Sequence, residues 1–389
     1  MPYTLPTELF RRVETPFYYY DTQLLSDTLD TVSRITADAP DYVVHYAIKA
    51  NSNPKVLRLI ASKGFGADCV SGGEIQAAVE AGIPGKKIVF AGVGKRDWEI
   101  NLALEVGIAC FNVESLEELE VINSLALAKG AVAPVAFRIN PNIDAHTHAN
   151  ITTGLSENKF GISMEDMTAA VRRSFELPGV SFYGLHFHIG SQTLEYSPFV
   201  ELCKRVATLR EQLSSEGITI PNLNVGGGLG IDYDTPDANP IPDFEGYFDT
   251  FRKNLTLDKG QKLHFELGRS IVGQCGSLIS EVIYVKKGTA KQFLIVDAGF
   301  TDLIRPALYE AHHHIDVLTS SSEETEVYDV VGPICESSDV FNKDLHLPRC
   351  KRGDIIALRS AGAYGEVMAS GYNNRKVIKG YSKEQLEAI

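Results

Sequence analysis

Four stretches of the chain put reactive or anion-binding residues at the ends of apolar runs. "VVHYAIKANSNP" (43–54) runs out on Lys49, and "YGLHFHIGSQ" (183–192) runs out on His188 with Ser191 just beyond. "NLNVGGG" (222–228) ends in Gly226, Gly227 and Gly228, and "LHFELGR" (263–269) brings Glu266, Gly268 and Arg269. A lysine at the mouth of a buried strand is costly unless its nitrogen is committed to a covalent partner such as an aldehyde. The glycines let backbone N–H groups close on an anion, and an arginine adds a charge-assisted clamp. An aldehyde that also carries a phosphate meets both demands, so these residues point to pyridoxal 5'-phosphate held as a Schiff base by Lys49. Taken singly, each has a plainer reading: a solvated lysine, a tight turn, a structural Glu266–Arg269 ion pair.

The elements that must position these residues follow from periodicity. β-rich runs at 42–49, 66–70, 87–92, 109–113, 134–140, 183–190, 222–228 and 263–269 alternate with amphipathic stretches such as "PKVLRLIASKG" and "SLEELEVINSLALAKG". In those stretches apolar residues recur at helical spacing. Eight strand–helix units predict a closed (β/α)8 barrel, whose active site lies at the C-terminal ends of its strands. Lys49, Arg138, His188, the glycine triplet, Glu266 and Arg269 all fall at that end. The first strand–helix turn has no GxGxxG, which weakens a dinucleotide-binding alternative. After residue 275 the pattern turns to strands joined by turns, and "TPFYYYD" (15–21) is expected to pair with them. The expected division is a barrel over 28–275 and a mainly β domain from 1–27 and 276–389.

The chain has 389 residues, is 44% hydrophobic and carries a formal charge of −13, which suits a soluble globular protein and argues against a nucleic-acid surface. No run of 18 apolar residues occurs, so no membrane association is expected. Six cysteines without a CxxC pair suggest neither a zinc site nor a disulfide framework, and a cytoplasmic protein with reduced thiols is expected. His312, His313 and His314 have no partner at ligand spacing, so no metal is expected there; His146 and His148, in the long segment 140–162, read as part of a lid or turn.

"YAIKAN", "SGGEIQ", "NPNIDAHTH", "ENKFGI", "HFHIGSQ", "GGGLGIDY", "DAGFTDLIRPALY", "CESSD" and "GAYG" together resemble the fold-type III pyridoxal-phosphate decarboxylases, with their alanine-racemase-like barrel. The resemblance spans nearly the whole chain. It implies that Lys49 binds the cofactor, His188 stacks on its ring and Glu266 pairs with the ring nitrogen. Ser191, Gly226, Gly227, Gly228, Gly268, Arg269 and Tyr364 would hold or flank the phosphate, with Glu74 and Arg138 in support. Arg269, Arg305, Tyr309, Glu336 and Tyr364 would contact substrate, and Cys335 would donate a proton. Cys335 and Glu336 would enter the barrel of a second subunit, which implies a homodimer with shared sites. One departure is Leu267, in "ELGR", where the family has proline.

Arg305 bears on the substrate. Relatives acting on ornithine or lysine need an acid for the distal ammonium, whereas an arginine prefers a carboxylate. The expected reaction is therefore decarboxylation of meso-2,6-diaminopimelate to L-lysine. The alternatives are decarboxylation of carboxynorspermidine, ornithine, lysine or arginine, or a non-catalytic regulatory homologue. A racemase is disfavoured because Glu266 is too acidic a ring partner.

Overall fold

The computed structural model describes residues 3–143 and 159–389. The expected lid or turn around His146 and His148 lies outside the described residues. The described chain forms two compact units, one of Leu29–Gly230 and Asp243–Gly268, the other of Met1–Thr28, Ile231–Pro242 and Arg269–Ile389.

An N-terminal strand, β1 (Phe17–Tyr20), belongs to the second unit. The first unit is a closed parallel barrel of β2 (Tyr42–Ala47), β3 (Gly66–Cys69), β4 (Ile88–Phe90), β5 (Cys110–Val113), β6 (Ala133–Arg138), β7 (Val180–His186), β8 (Asn222–Asn224) and β9 (Lys262–Leu267). It closes where β2 pairs with β9, with His45 opposite Glu266. Strands buried on both faces read as near-continuous apolar runs, as Ile88-Val89-Phe90 does.

Local signals start the helices between the strands. Asn53 caps the helix Pro54–Ser62 by accepting from the Lys55 N–H, and proline at the first helical position needs no donor. Ser71 and Ser115 cap Gly72–Glu80 and Leu116–Ala128 by accepting from the Glu74 and Glu118 N–H groups. The side chains of Glu74 and Glu118 reach back to the N–H of Val70 and Glu114, at 2.7 and 2.8 Å, so each cap also fixes the end of the preceding strand.

β9 is held from outside by an aromatic group on the helix Phe244–Asn254. Tyr247, Phe248 and Phe251 place their rings 5.9, 4.9 and 5.2 Å from that of Phe265. Because side chains alternate along a strand, anchoring Phe265 outward aims Glu266 into the barrel.

In the second unit β1 pairs antiparallel with β10 (Gly276–Lys287). β10 also pairs with β11 (Gln292–Val296) and β15 (Ile355–Leu358), flanked by β12 (Ile315–Val317), β13 (Thr325–Val331) and β14 (Val340–Pro348). β16 (Gly380–Ser382) adds a parallel partner to β1. The expected pairing of the N-terminal segment into this sheet is what the structure shows. No helix of the described residues is long and apolar enough to cross a membrane.

Candidate active site

Lys49 does not end β2 itself. It sits on the 3-10 turn Ile48–Ala50 that follows, where the Asn51 N–H donates to the Ile48 carbonyl and the Tyr46 hydroxyl to the Asn51 carbonyl. The turn brings Lys49 Nζ to 3.3 Å from Oδ2 of Asp68, at the end of β3. Asp68 is fully buried, and its other oxygen has no hydrogen-bond partner. Burial first, and repulsion from Glu266 second, raise its pKa to about 6 against the pull of Lys49.

Glu266 lies within β9, not after it, and is buried. Its Oε1 accepts from Nδ2 of Asn112 at 3.1 Å and of Asn224 at 2.7 Å, and its Oε2 lies 2.9 Å from Nε2 of His186. Burial by itself would raise the carboxyl's pKa; the electrostatic pull and hydrogen bond of His186, with Lys49 and His188, reverse that and hold it well below the usual carboxylate range. A carboxylate offers about four acceptor positions, so three donors leave one for a further N–H. A buried anion built this way fits a cationic ring nitrogen. With the unpartnered Asp68 oxygen beside Lys49, it gives the barrel mouth the donor and acceptor set that a pyridoxal cofactor requires.

His188 stands two residues past the end of β7. The apolar alternation of "HFHIG" continues beyond the strand because the loop itself is buried and paired: the Phe187 N–H donates to Asn224 and the Thr193 N–H to Gly228. His188 is half-buried, and burial followed by the Lys49 and Arg138 charges holds it well below the ordinary histidine pKa, as a neutral ring. Ser191 lies in the same loop.

The glycine triplet leaves β8 in a conformation other residues reach only with strain, with φ of +69° at Gly226 and +112° at Gly228. A Cβ on Gly227 would lie 2.0 Å from the Glu266 carbonyl oxygen. The loop backbone is thus drawn tight against β9, as a cradle for a phosphate needs to be. Gly268 packs against Ala47 and Ala50, where a side chain would meet their Cβ atoms at 3.2 Å.

Arg138, the last residue of β6, pairs with buried Glu114 at 2.8 Å. Glu114 also accepts from the N–H groups of Gly92 and Gly161, so the pair ties three strand-end loops together. Glu74 has its pKa raised by burial to about 7.

Arg269 and the remaining expected residues belong to the second unit. Arg269 opens the short helix Arg269–Val272; it does not extend β9. It is buried, donates from Nη1 to the Tyr233 hydroxyl at 2.7 Å and lies 4.9 Å from the centre of the Tyr364 ring. Arg305 is 5% exposed, with its guanidinium 4.7 Å from the Tyr233 ring centre. Tyr233 therefore gathers two buried guanidinium groups, and among the described residues Arg305 has no carboxylate partner. Tyr309 is half-buried, four residues on. Cys335 and Glu336 are exposed; the Cys335 N–H donates to Asn373 and Glu336 accepts from the Tyr372 hydroxyl at 2.7 Å. The other five cysteines are buried.

Sequence reasoning passed over Asp68, Asn112, Asn224, His186, Glu114 and Tyr233. The signal for several was present. An Asp in "GADC" and an Asn in "CFNV" are polar residues in the middle of buried strands, which needs a reason.

Residues 25–273 match the model of the pyridoxal-dependent decarboxylase, pyridoxal-binding domain family. The chain is 62% identical over 381 residues to diaminopimelate decarboxylase of Bacteroides thetaiotaomicron, covering 98% of each. It is 43% identical to the enzyme of that name from Neisseria meningitidis serogroup B, covering 96% of this chain and 88% of the relative. The crystal structure of a point mutant of diaminopimelate decarboxylase from Helicobacter pylori, complexed with L-lysine, matches with a TM-score of 0.91 at 42% identity, covering 97% of this chain and 93% of that one. With a parallel barrel that sets the Lys49 amine beside buried Asp68 and holds Glu266 ionised, this chain belongs to the diaminopimelate decarboxylase family of pyridoxal-dependent decarboxylases.

Proposed function

We propose that this chain removes CO2 from meso-2,6-diaminopimelate to give L-lysine, the closing step of lysine biosynthesis, with pyridoxal 5'-phosphate as cofactor. The observation that carries the substrate assignment is Arg305, a buried guanidinium without a carboxylate partner among the described residues. An uncompensated buried charge costs several kcal/mol, roughly 3–5, and a substrate carboxylate removes that cost on binding. A site of this kind favours the diamino diacid and rejects lysine, which offers no acid at its distal end.

When bound, pyridoxal phosphate supplies the sink for the electron pair left behind as the carboxylate departs. The Lys49 amine would hold the cofactor's aldehyde, with Asp68 beside it to receive a proton. Glu266, kept ionised by its three donors, would keep a proton on the ring nitrogen. His188 would stack against the ring. Ser191, Gly226, Gly227, Gly228, Gly268, Arg269 and Tyr364 are assigned to the phosphate, while Arg305, Tyr309, Glu336 and again Arg269 and Tyr364 are assigned to substrate. Cys335 delivers a proton to the substrate carbon, and its exposure suits a thiol that works at a partner's barrel in a homodimer. The proposed sequence division is a barrel domain over 28–275 and a β domain from 1–27 and 276–389, although Ile231–Pro242 and the residues from Arg269 on group with the β unit. Free thiols suit a reducing compartment, and we place the protein in the cytoplasm.

The test is steady-state turnover of meso-2,6-diaminopimelate and L-lysine by the purified holoenzyme. The diacid should be decarboxylated and lysine should not; comparable rates on both would end the assignment.

A further inference from the structure

Arg305 could offer a carboxylate either of two edges of its guanidinium, and one neighbour decides between them. His313 is buried in the second unit, with Nε2 2.7 Å from Arg305 Nη1 and Nδ1 2.8 Å from the Arg359 carbonyl oxygen. A carbonyl only accepts, so Nδ1 carries the proton. A guanidinium only donates, so Nε2 carries the lone pair. The two bonds fix one neutral tautomer and one ring orientation, and the Tyr233 ring edge packs against the imidazole at 5.1 Å. The same Tyr233 lies against the Arg305 guanidinium. Nε of Arg305 is buried and has no hydrogen-bond partner among the described residues.

We infer that His313 is a positioning residue: it ties up Nη1 of Arg305 and so presents the Nε–Nη2 edge to the distal carboxylate of the substrate. This rests on the reading of Arg305 as the carboxylate-binding residue. A carboxylate engages that edge through two parallel N–H donors, a pairing that fixes its orientation as well as its charge. Charged and titratable groups around the imidazole are Arg305, Arg269, His312 and Tyr233. Burial first, then Arg305, keeps the ring neutral, which the acceptor role requires.

The test uses two substitutions that keep different halves of the imidazole's bonding. A glutamine oxygen reaches about as far as Nε2 and can accept from Arg305. An asparagine reaches only as far as Nδ1 and can still bond the Arg359 carbonyl. For the holoenzymes we expect His313→Asn to raise KM for meso-2,6-diaminopimelate by about ten- to hundredfold, the worth of one hydrogen bond to a charged group, with kcat little changed. The calorimetric Kd for pimelate, a dicarboxylate of the same chain length without amino groups, should rise in parallel. His313→Gln should recover most of both losses. Equal behaviour of the two variants, or recovery by Asn and not Gln, would overturn the inference. Long-range proton–nitrogen spectra of the wild-type holoenzyme give a check that needs no variant: a protonated Nδ1 supports the inference and a protonated Nε2 overturns it. Arg305→Met separates the underlying reading: if it leaves KM and the pimelate Kd unchanged, Arg305 does not bind the carboxylate and the role of His313 falls with it. A loss in Arg305→Met with none in the His313 variants overturns only the positioning role.

Discussion

Replacing Glu266 by glutamine removes a charge while keeping nearly the same shape, and the surroundings allow the result to be worked out. The amide oxygen can take the place of Oε1, where Asn112 and Asn224 donate. The amide nitrogen then faces Nε2 of His186, which lies 2.9 Å from Oε2 in the native site. The imidazole can answer by moving its proton to Nδ1, but that atom is buried without a partner, so the rearrangement strands a donor at a cost of about 1–3 kcal/mol. The cofactor-free variant should therefore melt a few degrees lower than wild type and still fold. Catalysis loses more specifically. A hydrogen bond to a charged group contributes about 1.5–3 kcal/mol against about 1 for a neutral pair, a difference of about 0.5–2 kcal/mol, so kcat at saturating cofactor should fall roughly two- to thirtyfold. The assay is CO2 release from meso-2,6-diaminopimelate, with cofactor content measured on the same sample. Full occupancy with kcat within twofold of wild type would refute the argument that an ionised Glu266 sustains the ring cation.

Four further outcomes are expected. Borohydride reduction followed by peptide mass analysis should place a phosphopyridoxyl adduct on the peptide containing Lys49; an adduct elsewhere would displace Lys49 from its role. Gly227→Ala and Gly184→Ala both force a Cβ to 2.0 Å from a strand carbonyl, of Glu266 and Asn222 respectively, so each should destabilise by about 1–3 kcal/mol or more. Only the first should release cofactor faster on dialysis. Subunit exchange between Lys49→Ala and Cys335→Ala proteins should restore about a quarter of wild-type activity, since half the dimers are hybrids with one intact site each; no recovery after proven exchange would mean sites confined to single subunits. His264, bonded to His45 inside the barrel, has its pKa lowered by burial to about 3. A histidine with a depressed folded-state pKa contributes stability that is full above its unfolded value near 6.5 and is lost as pH falls toward 3. By pH 5 that amounts to about 2 kcal/mol, so His264→Asn should flatten the acid side of the stability curve, and an unchanged slope in urea melts at pH 7 and 5 would contradict it.

The fold was legible because its signals are local and repeated. Ser71 and Ser115 announce helices with glutamates three residues on, Asn53-Pro54 does the same, and apolar runs mark the strands between. Endpoints were harder. "HFHIG" alternates as a strand although β7 stops at His186, because the loop beyond is as buried as the strand and hydrogen-bonds to the next one. "ELGR" runs on past β9 in pattern, yet Arg269 starts a helix. The segment Ile231–Pro242 belongs with the β unit, but its sequence, rich in Asp, Asn and Pro, reads as a turn, and nothing in its composition tells which unit it joins.

The site was legible where a residue's chemistry is unusual for its position, and silent where a residue acts through another. Lys49, Glu266 and the glycine triplet stand out against an apolar strand or an ordinary turn. Asn112, Asn224 and His186 do not, since each is a polar side chain in a different strand, and their common purpose exists only once the barrel closes. Closure brings them within hydrogen-bond distance of a single carboxylate 42 to 154 residues away in the chain. The same reasoning accounts for His313, which reads in the sequence as one of three adjacent histidines. What separates it from His312 and His314 is burial and two bonds with fixed donor directions, to Arg305 and to the Arg359 carbonyl. In both cases neutral groups, the Asn112 and Asn224 amides and the His313 imidazole, help to hold an ionised one in place. That is the economical arrangement, because a neutral donor or acceptor satisfies a buried charge without adding a second charge to desolvate.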